Sequence, residues 1–344
     1  MVYSTLRRSG VCTALYTSPH LVDLRERMIV DDLPITHDAF VHWTERLRDQ
    51  VLENDASFFE ATTAIAFADF AARGVDVAVV EVGLGGRLDA TNVLSPLACA
   101  VTNVGLEHTE YLGDTLEEIA GEKAGIAKPD TPFIIGERDQ DLAALLEEFA
   151  TKRGAIARRL PHDQLYEGRL ALEGVHQRRN AALAETILRC LPPGLSPEDQ
   201  HVHSGIEAAF VPGRFDRRGK WIFDVAHNAA GFETLVDQIR SLKPRRPVHA
   251  LVSMAHDKDW RTMLVSLREN VNHLWLTLAP SMPSDRRPDL EQMIRELGAN
   301  CTVETNFDRA LDGVAAGAGT VVVAGSFFTV GDAMARLPGF APLG

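Results

Sequence analysis

Short apolar runs closed by turn residues alternate along the chain with stretches in which apolar side chains return every three or four positions. The runs predict strands at 11–16, 76–82, 98–104, 132–135, 221–225, 248–253, 273–278 and 319–324. Helical spacing falls between them, at 37–53, 57–73, 115–127, 139–152, 176–190, 229–242, 259–268, 288–297 and 327–336, and residues 2–10 read as a helix end closed by Gly10. Such alternation is how a parallel sheet covered by helices reads, so the expected fold class is α/β. Turn signals are strongest at Pro192-Pro193-Gly194 and at Phe210-Val211-Pro212-Gly213-Arg214, and a fresh strand–helix alternation begins at Trp221. A division into 1–210 and 211–344 follows, in keeping with 344 residues at roughly 150 per domain.

Composition narrows the partners. The 45% hydrophobic content supports a core in each domain, and the formal charge of −13 works against nucleic acid and acidic membrane surfaces. Neither an apolar stretch of the ~18 residues a membrane helix requires nor a signal-peptide core after Met1 is present, so a soluble, cytoplasmic protein is expected. Cys12, Cys99, Cys190 and Cys301 lie far apart with no C-x-x-C, and read as reduced core thiols.

Candidate chemistry gathers at strand ends, where open α/β sheets bind their ligands. Glu81 opens EVGLGGRLDATN (81–92), which fails as a dinucleotide fingerprint because Leu88 stands where the third glycine belongs. A nicotinamide-dependent oxidoreductase is disfavoured on that ground. Thr102-Asn103-Val104-Gly105-Leu106-Glu107-His108 puts His108 after another strand, and a carboxylate with an imidazole at one sheet edge can hold a metal; taken singly, each also reads as a solvated strand terminus. Asp224 and His227, in DVAHN, load a strand end of the second domain in the same way, so a ligand cleft between domains is expected.

Several other positions have sufficient local explanations. Ser57-Phe58-Phe59-Glu60 is a capping box, and Thr115 with Glu117 and Glu118 opens a helix in which Lys123 sits among small residues. Gly174-Val175-His176-Gln177-Arg178-Arg179-Asn180 places polar and basic groups at a helix start, suited either to a nucleotide or to an exposed cap. A phosphate loop is not found: 213–221 has one residue too many between its glycines, Trp221 in place of Ser or Thr, and a strand after it instead of before it.

Taken in order, the segments YTSPHL (16–21), RERM (25–28), FFEATTAIAF (58–67), EVGLGGRLDATN (81–92), TNVGLEHTEYLGDTLEEIAGEKAGIAKP (102–129), GVHQRRNAALA (174–184), PGRFD (212–216), DVAHNAAG (224–231), DKDW (257–260) and GSFFTVGDA (325–333) resemble the folylpolyglutamate synthase and dihydrofolate synthase family of the Mur ligase superfamily. The resemblance covers essentially the whole chain. It implies a Mur-ligase-like ATPase domain with a mainly parallel sheet, followed by a smaller Rossmann-like α/β domain that ligates glutamate. It further implies an enzyme that activates a pteroate or folate carboxylate with ATP as an acyl phosphate, which the amino group of L-glutamate attacks.

By resemblance, Ser18, Glu81 and His108 match metal positions for Mg²⁺, with two ions expected, and Lys123 matches a carbamylated lysine. Glu81, His108 and Lys123 form the catalytic set. Asn180, Arg214, Asp224 and His227 match nucleotide-contacting positions, while Phe58, Phe59, Glu60, Ala61, Leu88, Asp89 and Ala90 fall on pterin-binding segments. A monomer acting on small molecules, without nucleic acid or membrane, is implied. Two departures stand out: Glu107 replaces the usual aspartate, and the family's phosphate loop with its strand would lie just before Met1. Hence the alternative readings are an inactive truncated folate- or nucleotide-binding remnant and, within ligases, a peptidoglycan-type Mur ligase.

Overall fold

The computed structural model describes residues 1–298 and 300–343, which divide into two compact units. The first comprises Met1–Ser18, Arg27–Ala171 and Val175–Ala209; the second comprises Pro19–Glu26, Leu172–Gly174 and the chain from Phe210 onward.

In the first unit the elements run α1 (Val2–Arg8), β1 (Thr13–Tyr16), β2 (Met28–Val30), β3 (Leu33–Pro34), α2 (His37–Glu53), α3 (Phe58–Ala72), β4 (Val77–Val80), β5 (Cys99–Val101), α4 (Thr109–Leu112) and α5 (Leu116–Ala124). They continue with β6 (Pro132–Ile135), α6 (Gln140–Lys152), β7 (Ile156–Arg159), α7 (Val175–Arg189) and α8 (Asp199–Glu207). Two sheets result, one of four strands in the order β3-β2-β1-β4 and one of three in the order β5-β6-β7. β1 and β4 pair in parallel with Tyr16 opposite Val80, so both chains leave the sheet at the same edge. The first sheet buries Ala14, Tyr16, Met28 and Val30 against Ile65, Ala66 and Phe70 of α3. Phe133 and Ile135 of the second sheet pack with Ile119, Ala120, Ala143 and Leu146 of α5 and α6.

The second unit holds β8 (Asp216–Arg218), β9 (Trp221–Phe223), α9 (Ala229–Leu242), β10 (Val248–Val252), α10 (Trp260–Arg268), β11 (His273–Leu276), α11 (Leu290–Leu297), β12 (Cys301–Val303), α12 (Phe307–Ala315), β13 (Thr320–Ala324) and α13 (Phe327–Arg336). They build one six-stranded sheet, β12-β11-β10-β13-β9-β8, parallel except for the β8–β9 pair. Because helices cover both faces, its strands read as continuous apolar runs, and all five residues of β13 are buried. One face packs against α9, α10 and α11, the other against α12 and α13.

The α/β architecture matches the expectation from sequence, with shorter strands. Glu81 and Asn103 fall outside β4 and β5, because pairing stops where the chain turns into glycine-bearing loops. β2, β3, β7, β8 and β12 have two to four residues each, too few for a period to register. α8 and α12 were also not anticipated; α12 is nonetheless signalled by Asn306, whose side chain caps the Arg309 amide. All four cysteines are free, half-buried and packed against the hydrophobic cores, and burial pushes the Cys99 thiol up to about 12. Among the described residues no helix is long and apolar enough to cross a membrane.

Candidate active site

The parallel pairing of β1 with β4 builds the first part of the site. Glu81 N–H donates to the Tyr16 carbonyl at 2.9 Å, carrying the ladder one residue past the strand, and Ser18 N–H donates to Glu81 Oε2 at 3.1 Å. Ser18 and Glu81 are therefore brought together at the strand-end edge. Beside them Arg27 is 8% exposed, with its guanidinium 5.5 Å over the Phe58 ring. Burial pushes that guanidinium below its ordinary value, against the opposing charges of Tyr16 and Glu81. Sequence reasoning did not single out Arg27; its only signal was its place in RERM.

His108 stands on the loop after β5, exposed, in the left-handed region at φ 53 where it precedes α4. Among the described residues no three of His, Cys, Asp and Glu converge closely enough to hold a metal ion. The Glu81 carboxylate and Ser18 hydroxyl are oxygen donors, the type that Mg²⁺ takes, so this pair fits a hard divalent cation.

The glycines after Glu81 have a packing role. A Cβ on Gly86 would lie 2.9 Å from the Glu122 carbonyl and 3.0 Å from that of Lys123, so only glycine lets the loop lie on the end of α5. Arg87 locks the contact, its N–H on the Glu122 carbonyl at 2.9 Å and its Nε on Glu122 Oε1 at 3.0 Å. Gly125 answers from the other side, where a Cβ would come 2.4 Å from Arg87 Cα. Asp89 clamps the loop internally by accepting from the amides of Gly83 at 3.0 Å and of Leu84 and Thr91 at 2.9 Å. As a result Lys123 is held half-buried beside the loop. Burial lowers its pKa, and the charge of Glu107 opposes that shift.

The pterin candidates divide by what their side chains already do. Glu60 accepts from the Ser57 N–H and hydroxyl, both at 2.7 Å, completing the capping box of α3. Its carboxylate is committed, as is that of Asp89. Phe59 lies under Gly83, Ala61 is half-buried, and Ala90 starts a short 3₁₀ turn. Phe58 and Leu88, at 61% and 79% exposure, present apolar surface to solvent, with the Arg27 guanidinium over the Phe58 ring. That surface is what a flat heteroaromatic ring needs.

On α7, Asn180 is half-buried and donates to Gln177 Oε1 at 3.3 Å. The neighbouring Arg179 is buried and spans to the carbonyls of Gly136 and Leu160, each at 3.1 Å. Within the second unit, Asp224 follows β9 and accepts from Phe215 N–H at 2.9 Å and Ala226 N–H at 2.8 Å. Burial raises its pKa, opposed by those two amides and then by Arg214 and His227. His227 Nδ1 lies 2.9 Å from the Val225 carbonyl. Phe327 joins the group: the His227 ring is 5.8 Å from its centroid and the Arg214 guanidinium 5.7 Å. This aromatic was visible only as part of GSFFTVGDA.

Residues 213–327 match the family model described as Mur ligase, glutamate ligase domain. The chain belongs to the folylpolyglutamate synthase and dihydrofolate synthase family. It is 33% identical to the dihydrofolate synthase/folylpolyglutamate synthase of Escherichia coli, over 96% of this chain and 81% of that one. It is 34% identical to a probable bifunctional folylpolyglutamate synthase/dihydropteroate synthase of Haloferax volcanii, over 97% of this chain but only 44% of the relative, so the chain spans less than half of that protein's length. Among solved structures, Escherichia coli FolC in complex with DHPP and ADP superposes with a TM-score of 0.85 at 31% identity, covering 97% of this chain and 84% of that one. Mycobacterium tuberculosis folylpolyglutamate synthase complexed with ADP and AMPPCP gives 0.83 at 28% identity, covering 97% and 87%.

Proposed function

We propose that the protein is an ATP-dependent ligase that joins L-glutamate to the carboxylate of a dihydropteroate or tetrahydrofolate, through an acyl phosphate. The observation that carries this reading is the docking of the 81–92 loop on α5, which holds Lys123 half-buried beside the loop that Glu81 opens, with Phe58 and Leu88 exposed. Relatives support the ligands: a Yersinia pestis member is described with AMPPNP and Mn ion, and another structure with Mn, AMPPNP and L-glutamate bound.

In the proposed reaction the pteroyl carboxylate attacks the γ-phosphorus of ATP, releasing ADP. The neutral amine of glutamate then adds to the acyl carbon, inorganic phosphate leaves, and the amide nitrogen loses its proton. Phe58 and Leu88 cover the ring system of the acceptor. Asn180, Arg214, Asp224 and His227 serve the nucleotide, with Asp224 acting through the backbone it holds. Ser18, Glu81 and His108 would hold Mg²⁺, two ions being proposed, which when bound neutralises charge on the phosphoryl oxygens. Lys123 reacts through its neutral amine with CO₂, giving a carbamate and a proton. That converts a cation into an anion, and the depressed pKa favours it.

Incorporation of labelled L-glutamate with ATP tests the reading on a panel of dihydropteroate, tetrahydrofolate and a UDP-muramoyl peptide. Label in a pteroyl acceptor supports it. Label only in the muramoyl acceptor, or none in any, overturns it in favour of a peptidoglycan-type ligase or a binding-only protein.

A further inference from the structure

The carboxyl end of α9 carries a feature that the proposed reaction does not use. A cavity of about 370 Å³ is lined there by Ile239, Arg240, Lys243, Pro244, Arg246 and Asn270. Three cations and no carboxylate line it, in a protein of formal charge −13. Asn270 Oδ1 accepts from Arg240 Nε at 2.9 Å and its amide donates to the Ser266 carbonyl at 2.8 Å, so it fixes the guanidinium. A more distant contact ties Arg240 to Asp237 at 3.4 Å, and Arg246 donates to Asn272 Oδ1 at 3.1 Å. The ammonium of Lys243 makes no hydrogen bond or ion pair among the described residues. One cation near a helix carboxyl terminus is explained by the helix dipole. Three around a concavity floored by Ile239 and Pro244 call for an anion.

We propose that this cavity is a binding site for a linear oligocarboxylate, and that its ligand is the γ-glutamyl chain of the product. The inference rests on the pteroyl-glutamate reading above. Guanidinium forks suit carboxylates, and the apolar floor suits the methylenes between successive carboxylates of such a chain. A single phosphate would use the cations but not the floor, and would fill little of the volume. The site is remote from the chemistry. α9 starts just after Asp224 and His227 and has 14 residues, which at 1.5 Å each put the cavity roughly 20 Å away, at the opposite edge of the second unit's sheet.

Fluorescence anisotropy of labelled tetra-γ-L-glutamate on the 344-residue protein tests the assignment, with K243E/R246E as the site variant and R46E/R48E on α2 as an equal change of charge elsewhere. Saturable binding that weakens at least about tenfold in K243E/R246E, stays in R46E/R48E and resists equimolar inorganic phosphate is expected, since each charge-assisted contact is worth about a factor of ten. Equal loss in both variants, displacement by phosphate alone, or no binding would overturn it. E81A separates the two proposals, because it removes ligation while leaving this binding intact. Circular dichroism confirms that each variant is folded.

Discussion

Asp224 Oδ2 accepts the backbone N–H of Phe215 at 2.9 Å, and Phe215 sits at φ 47, in the left-handed region that costs a side-chain-bearing residue energy. The second carboxylate oxygen takes the Ala226 amide at 2.8 Å, so one side chain ties the turn before β8 to the loop after β9. Arg214 and His227, each next to a tethered residue, inherit their positions from that clasp. D224N keeps one acceptor and turns an amide donor toward the other N–H, while D224A frees both. Each lost bond costs about 1–3 kcal/mol. Urea midpoints should therefore fall in the order wild type, D224N, D224A, and ADP binding should weaken with them. R214A should weaken ADP binding with the midpoint unmoved.

Glu81 is exposed at the strand end, and its removal leaves the core untouched. E81A and H108A should lose about 10²–10³ in glutamate ligation, the usual cost of one electrostatic contact at a transition state, with thermal midpoints unchanged. Ligation at the wild-type rate in either variant at ordinary Mg²⁺ would remove that residue from the metal set.

Gly86 and Gly125 each leave room in the contact between the loop and α5, Gly86 against the carbonyls of Glu122 and Lys123 and Gly125 against Arg87. G86A pushes a methyl against the carbonyls of Glu122 and Lys123, neither of which can yield without unwinding the helix end. Destabilisation of about 1–3 kcal/mol is expected from such overpacking, together with loss of ligation, because Lys123 moves with its helix. G10A, whose added carbon meets nothing within 4 Å but whose φ is +84, should show a stability cost without the activity loss.

Lys123 carries a sign that pH can read. Its folded pKa lies below its ordinary 10.5, so between the two the unfolded chain binds the extra proton and stability rises with pH. In CO₂-free buffer the urea midpoint of wild type should climb relative to that of K123M across that window. Adding ¹³CO₂ at mildly alkaline pH should give a carbamate signal in wild type and none in K123M. A midpoint difference independent of pH would contradict the burial of the charged amine.

Ser57 starts α3 by accepting the Glu60 amide, and Glu60 returns the bond with its carboxylate pKa lowered by Ser57. S57A should cost about 1 kcal/mol. The Glu60 contribution is present above the unfolded carboxylate pKa and lost as pH falls through the lowered one, so the gap between wild type and S57A should narrow in acid.

The sequence by itself determined whatever depends on neighbours along the chain. Apolar periodicity set the α/β alternation, Ser57-x-x-Glu60 and Thr115-x-x-Glu118 marked two helix starts, and the ordered segments from YTSPHL to GSFFTVGDA identified the family. Tertiary structure decided what depends on residues far apart. That Glu81 meets Ser18 follows from the parallel register of β1 and β4, which no local pattern specifies. Phe327 was an unremarked aromatic until β13 and β9, neighbours in the sheet, put it beside Arg214 and His227. The glycines of EVGLGGRLDATN read as a loop fingerprint in one dimension, yet Gly86 is required because the backbone of α5 lies within 3.0 Å of where a Cβ would stand. Short-range preferences can be read from a string because their partners are in the string; steric exclusion and charge burial are pairwise over space, and only the folded chain sets those distances.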